Sequence, residues 1–242
     1  HGTGGSRSIP VGGVSTFVAA KDLSEKLKKL ASDKLETKVA DLEIADGSVR
    51  VAGTDRKITF ADLAKLPGAT PDMTRGKGDF TPPDATYPNG THVAEVEVDP
   101  LTGTVLIVNY TIVDDFGIAV NPLLLAGQVH GGVAQGIGQA LLEHTVFDKD
   151  GQLISASLMD YTLPRADDLP SFHFETKNVP STTNPLGIKG AGEAGSIGST
   201  PAVMNAVIDA LDRAYGIRHL QMPATPHRIF EAINSVQRHA AE

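Results

Sequence analysis

A chain of 242 residues that is 40% hydrophobic can bury a sizeable core, in one large domain or two small ones. Its 21 basic and 29 acidic residues give a formal charge of -8, which argues against a broad nucleic-acid surface, and no apolar run approaches the ~20 residues a membrane helix needs. Without cysteine there can be no disulfide, thiolate zinc site or cysteine-ligated iron–sulfur cluster within the chain, and the opening HGTGGSRSIP has neither an initiator methionine nor a signal-peptide pattern, as expected of a piece of something longer.

Beyond the glycine-rich start, Val14, Phe17, Leu23, Leu27, Leu30 and Ala31 recur at helical spacing, with lysines and acids opposite. LEIADGSVRV predicts a hairpin turning at Asp46-Gly47, the dipeptide that suits a type I′ turn. Thr59, with Asp62 completing the box, predicts a short helix over residues 60–66, and the Pro- and Gly-rich residues 67–91 predict a long loop. HVAEVEVD and TVLIVNYTIVDD predict two strands joined by a turn at residues 99–103.

GQVHGGVAQGIGQALLEH predicts a helix with a bare face, because Gly127 with Gly131 and Gly132 with Gly136 are each four apart. Such spacing invites something to approach the backbone. Strands are expected around residues 153–160 and 172–179. Thr200-Pro201 predicts a helix through Ala214 with proline at its first position and Gly216 beyond its end, and Thr225-Pro226 predicts a last helix. The expected class is α+β with mixed sheets packed with helices, and no clear linker divides residues 1–242.

GIKGAGEAG, residues 187–195, surrounds one carboxylate, Glu193, with glycines. Gly190, Gly192 and Gly195 satisfy the dinucleotide fingerprint G-x-G-x-x-G, but STTNPLGIK is no strand and the next helix signal waits until Pro201, so the context that gives the fingerprint its meaning is missing. AGSIG lacks the first glycine of a nucleophile elbow around Ser196. His92, His130, His144 and His173 lack zinc-helix spacing and read as structural or exposed, and Asp114-Asp115 reads as turn chemistry before Gly117.

Taken together, GTGGSRSIPVGG, GTHVAEVEVDPLTGTV, DDFGIAVNP, GQVHGGVAQGIGQALLE, DYTLPRADDLP and GIKGAGEAGSIG closely resemble the molybdenum hydroxylases. This is the xanthine dehydrogenase, aldehyde oxidoreductase and aerobic carbon monoxide dehydrogenase family, and the likeness is to the C-terminal part of its molybdopterin-binding large subunit. The motifs fall in family order from Gly2 to about Ile233 and are weakest over residues 54–86.

The resemblance implies a molybdenum-bearing pyranopterin, in its cytosine dinucleotide form, with the glutamate matching Glu193 acting as base on the metal-bound hydroxide. Gln128 matches the glutamine that donates hydrogen bonds at the pterin–molybdenum end. Gly5, Ser6, Arg7 and Ser8 match a cofactor-lining loop in which Arg7 would bring charge to a phosphate, a role weighed against a local salt bridge. Lys189 and Gly192 match main-chain positions beside the active site, and no side chain of this chain is expected to ligate the metal.

The implied partners are the N-terminal half of the large subunit, an iron–sulfur subunit, a flavin subunit and a small-molecule substrate. No nucleic acid and no membrane span are expected, and the expected compartment is cytoplasmic, with a periplasmic one open. Carbon monoxide, aldehydes, purines and N-heterocycles all stay open as substrates, since their pocket lies mainly outside this chain. Alone, the chain is expected to be inactive and without cofactor. The rival reading is a non-catalytic folded module that serves as an assembly surface.

Overall fold

A computed structural model of the chain describes residues 2–241, and it divides into two compact units. The smaller comprises Ser8–Ala85 and Thr183–Pro185, and the larger comprises His1–Arg7, Thr86–Thr182 and Leu186–Glu242.

In the smaller unit a π-helix, Ser8–Gly13, runs into α1 (Val14–Leu35). Leu27, Ala31 and Leu35 follow the four-residue spacing that aligns side chains on one helical face. They are buried with Leu42, Val49 and Leu63 in this unit's core. That core is closed by a three-stranded antiparallel sheet of β1 (Leu42–Ala45), β2 (Ser48–Val51) and β3 (Lys57–Thr59). Asp46 (φ 48°) and Gly47 (φ 69°) both take positive φ at the first hairpin, as a type I′ turn requires. Thr59 Oγ1 accepts from the Asp62 amide at 3.1 Å and caps α2 (Phe60–Leu63), shorter than the span predicted. Gly76 and Gly78 lie directly on α1: a Cβ there would fall 2.2 Å from Ala19 O and 2.3 Å from Ser15 O.

The larger unit is built on a mixed sheet. β4 (Asn89–Val98) and β5 (Val105–Asp115) form an antiparallel hairpin with a bulge between Glu95 and Val96, and β6 (Phe172–Thr176) joins β5 in parallel. α3 (Pro122–Leu141) starts five residues earlier than predicted, because Asn121 caps it by accepting from the Leu124 amide at 3.1 Å, with proline in the first turn. Tyr110, Ile112, Val129, Val133, Val203 and Val207 are fully buried in the core that joins sheet and helices.

Two further predicted elements differ. Residues 153–160 form no strand; a single bridge, Phe147 to Leu153, is all that pairs there. α4 (Ala194–Tyr215) begins six residues before Thr200 and carries Pro201 inside it, ending at Gly216 (φ 71°). Proline there removes one intrahelical hydrogen bond. Close packing on α3 holds the early turns in place: a Cβ on Gly195 would lie 2.4 Å from Val129 O, and one on Gly132 would lie 3.0 Å from Gly195 Cα. The bare face expected on α3 is thus half explained, since Gly132 and Gly136 admit α4 while Gly127 and Gly131 face open space. The last helix, α5 (Pro226–Ala241), follows Thr225 as predicted. Among the described residues no helix is long and apolar enough to cross a membrane.

Candidate functional site

Glu193 occupies the N-cap position of α4, yet its carboxylate makes no capping bond. It accepts instead from the Ser6 hydroxyl at Oε2. Ser6 reaches it because Gly5 (φ 60°) and Ser6 (φ 55°) are both left-handed. For serine that conformation is uncommon and costs energy, and such strain concentrates where a side chain must be aimed. Close approach on the other side fixes the loop: a Cβ on Gly190 would fall 2.3 Å from Ser6 O, and one on Gly192 would fall 3.2 Å from Ser6 Oγ. Gly190 and Gly192 are therefore bare first of all to admit the Ser6 loop, as Gly195 is to admit α3.

Gln128, exposed on α3, donates from Nε2 to Gly192 O at 3.0 Å and ties that helix to the glycine loop. Lys189 donates its backbone N–H to Phe116 O at 2.9 Å, while its ammonium is held against Asp115 Oδ2 at 2.6 Å with both side chains at or below 10% exposure. Asp115 Oδ1 also accepts from the Gly117 and Val179 amides at 2.9 and 3.0 Å. Burial alone would raise the Asp115 carboxyl, but Lys189 and the two amides outweigh it and hold the group below the usual carboxylate range.

Glu193, Ser6, Gly192 and Gln128 are thus brought together, with Gly5 on the same pocket wall. Arg7 is not part of this group: its guanidinium donates to Gly2 O at 3.3 Å, a contact within its own loop rather than the local salt bridge weighed from sequence. Ser8 is the first residue of the smaller unit.

The pocket has a volume of about 230 Å³ and is lined by Ser6, Gly190 and Glu193 together with Gly90, His92 and Asp114. The last two were read as structural and as turn chemistry. His92 and Asp114 side chains are only 6% and 4% exposed, with Nε2 3.4 Å from Asp114 Oδ1, and His92 Nδ1 lies 2.9 Å from the Tyr110 hydroxyl. Burial, and then the nearby Asp114 charge, push Tyr110 well above its ordinary value. The Asp114 carboxylate can only accept, so the tautomer that suits both neighbours leaves Nδ1 to accept from the Tyr110 hydroxyl. Nε2 then carries the imidazole hydrogen and faces Asp114. Asp114 Oδ2 is buried and has no hydrogen-bond partner. The sequence signal for this trio is parity: Tyr110 and Asp114 are an even number apart on β5, and His92 pairs with Ile112 between them.

The family described as molybdopterin cofactor-binding domain matches residues 1–170. The carbon monoxide dehydrogenase large chain of Hydrogenophaga pseudoflava is 34% identical over 238 residues, which cover 96% of this chain and 30% of that protein. The 6-hydroxypseudooxynicotine dehydrogenase complex subunit gamma of Paenarthrobacter nicotinovorans is 36% identical over 252 residues, covering 98% and 31%. Among solved structures, quinoline 2-oxidoreductase from Pseudomonas putida 86 matches with a TM-score of 0.82 at 36% identity, covering 96% of this chain and 31% of that one. The chain therefore spans about 30% of the length of the relatives it matches. With a family match over most of its length and relatives above 30% identity along nearly all of it, the chain belongs to the molybdopterin-binding large-subunit family of the molybdenum hydroxylases.

Proposed function

We propose that this chain forms one wall of a molybdopterin site and carries, in Glu193, the general base of a molybdenum-dependent hydroxylase or dehydrogenase of the carbon monoxide dehydrogenase large-chain type. The observation that supports this best is the placing of the Glu193 carboxylate. It is aimed by a strained serine over a glycine-walled pocket rather than spent on capping the helix it begins.

The residues present fit an organic cofactor in part. Gly5, Ser6 and Gly190 offer a wall that a planar group can approach closely, and a buried carboxylate oxygen beside it awaits a donor. About 230 Å³ is below the ~300–1,000 Å³ usual for a ligand of drug size, so the chain holds part of a cofactor and the remainder of a large subunit holds the rest. The proposed form is the cytosine dinucleotide, and the proposed partners are that remainder with iron–sulfur and flavin subunits. When bound, the molybdenum pterin supplies the two-electron redox centre.

The side chains then divide the work. Glu193 takes a proton at the carboxylate, with Ser6 fixing the orientation of that group. Gln128 holds the Gly192 carbonyl with one amide hydrogen, and its second serves the cofactor. Lys189, committed to Asp115, positions the glycine loop from behind. Glu193→Gln in the complete enzyme keeps shape and the Ser6 contact but removes the base. Turnover should fall by about 10²–10⁴-fold with molybdenum content and melting temperature unchanged. Turnover within a few-fold of the wild type would end the assignment.

A further inference from the structure

Asp114 is the least satisfied buried charge among the described residues. One oxygen is held at 3.4 Å by His92, and the other has neither solvent nor partner, although the residue lines the same pocket as Glu193. Buried carboxylate oxygens almost always accept a hydrogen bond, and leaving one without costs far more than the bond itself gains. The position is built rather than accidental. Gly90, opposite Asp114 in the hairpin, must lack a side chain, since a Cβ there would sit 1.9 Å from Asp114 Oδ1. Gly198 on α4 presses on the His92 ring, where a Cβ would fall 2.6 Å from three ring atoms. Tyr110 completes the set by fixing which imidazole nitrogen carries the hydrogen.

The pocket's charge narrows what can complete Asp114. Its lining holds two carboxylates, Asp114 and Glu193, and no Lys or Arg, so a phosphate or carboxylate group would be repelled. A hydrated metal ion would need several oxygen ligands, and no group of three or more metal-holding side chains exists among the described residues. A neutral N–H donor at the edge of an organic ring system meets neither objection.

We propose that Asp114 is a ligand-binding residue that accepts a hydrogen bond from a neutral N–H group of the organic ligand in this pocket, with His92 as the positioning residue that orients its carboxylate. The inference rests on the cofactor reading above and adds a contact in the pocket that Ser6 and Glu193 also line.

The test uses the complete enzyme and follows pterin retention: pterin released by acid oxidation is quantified by fluorescence after timed gel filtration, alongside the melting temperature. Asp114→Asn can keep its oxygen toward His92 and turn an N–H into the pocket, so donor meets donor. Pterin should then be lost about 10- to 100-fold faster than from the wild type, as for loss of a hydrogen bond to a charged group. His92→Leu should behave similarly. His92→Gln, whose amide can still donate to Asp114, should restore retention to within a few-fold, a rescue that mere space-filling would not give. Wild-type retention in Asp114→Asn overturns the proposal. If that variant does not fold, equal retention in His92→Leu and His92→Gln overturns it instead. A wild-type complex without any pterin would sink the cofactor reading itself, which is a separate result.

Discussion

Asp114 and Asp115 are neighbours at the end of β5, both buried, and a strand sends neighbouring side chains to opposite faces. On one face Asp115 is saturated: the ammonium of Lys189, within the glycine segment, and the backbone amides of Gly117 and Val179 surround it. On the other face Asp114 has one long contact to His92 and an oxygen with no partner. The difference separates a carboxylate that holds the fold from one kept ready for something not in the chain. A satisfied buried charge reports on architecture. An unsatisfied one, built in by two glycines, reports on binding.

Removing Lys189 breaks this comparison most severely. Lys189→Ala leaves Asp115 buried beside two amides without its counter-charge, a change that usually costs about 3–5 kcal/mol when the pair is buried. Urea unfolding should show the loss as a lower midpoint at an unchanged slope. A midpoint matching the wild type would mean that the pair is solvated and the contrast between the two aspartates unfounded.

Next in size is an attack on the open side. Gly198→Ala places a methyl 2.6 Å from the His92 ring, and the ring can yield only by leaving Asp114 or by pushing α4 away. Overpacking of this kind costs about 1–3 kcal/mol. Thermal unfolding should therefore show a smaller loss than for Lys189→Ala, and an equal or larger one would invert the ranking of the two faces.

The strand hairpin shows how far the sequence could be read and where reading stopped. Alternating valines in HVAEVEVD, the long strand after it and the turn between them predict the hairpin, and it is there. Carried back from that turn without interruption, the register would pair His92 with Thr111, on the face of Asp115. The bulge at Glu95/Val96 shifts the pairing by one, so His92 meets Ile112 and shares a face with Tyr110 and Asp114. No residue type marks that bulge, and the trio stayed hidden behind it.

Glu193 was conspicuous in the sequence for its glycine setting, and Gln128 for the evident helix that carries it. What they touch was less so. Ser6 reaches Glu193 through a left-handed serine, a conformation that composition does not announce. The start of α4 at Ala194 was hidden by Pro201, the strongest local signal of a helix start, seven residues later. Tertiary packing overrode it: glycine-to-glycine packing of α4 on α3 begins at Gly195.

Acid should distinguish the two faces more gently. Asp115 is held below its ordinary value, so its contribution is complete above the value of an unfolded aspartate, near ~3.9, and is lost as pH falls through the lower folded value. The stability gap between wild type and Asp115→Asn should accordingly be constant from about pH 5 to 7 and shrink below about pH 4. A gap that widens on acidification would show that burial, which opposes ionisation, prevails over Lys189 and the amides.

The smallest effect should come from Asp114 itself, measured without ligand. Asp114→Asn removes a charge that no cation neutralises and keeps an oxygen for the His92 hydrogen, while the amide fills nearly the same volume between Gly90 and His92. What is lost is a weak contact at 3.4 Å, and what is gained is relief of an unpaired buried charge. The two should offset, leaving unfolding free energy within about 1 kcal/mol of the wild type, either side of zero. Chemical unfolding of the cofactor-free protein reads this directly. A loss comparable to that of Lys189→Ala would make Asp114 a second structural carboxylate. It would also remove the reason to expect a ligand at its unpartnered oxygen, because the charge would then act within the fold.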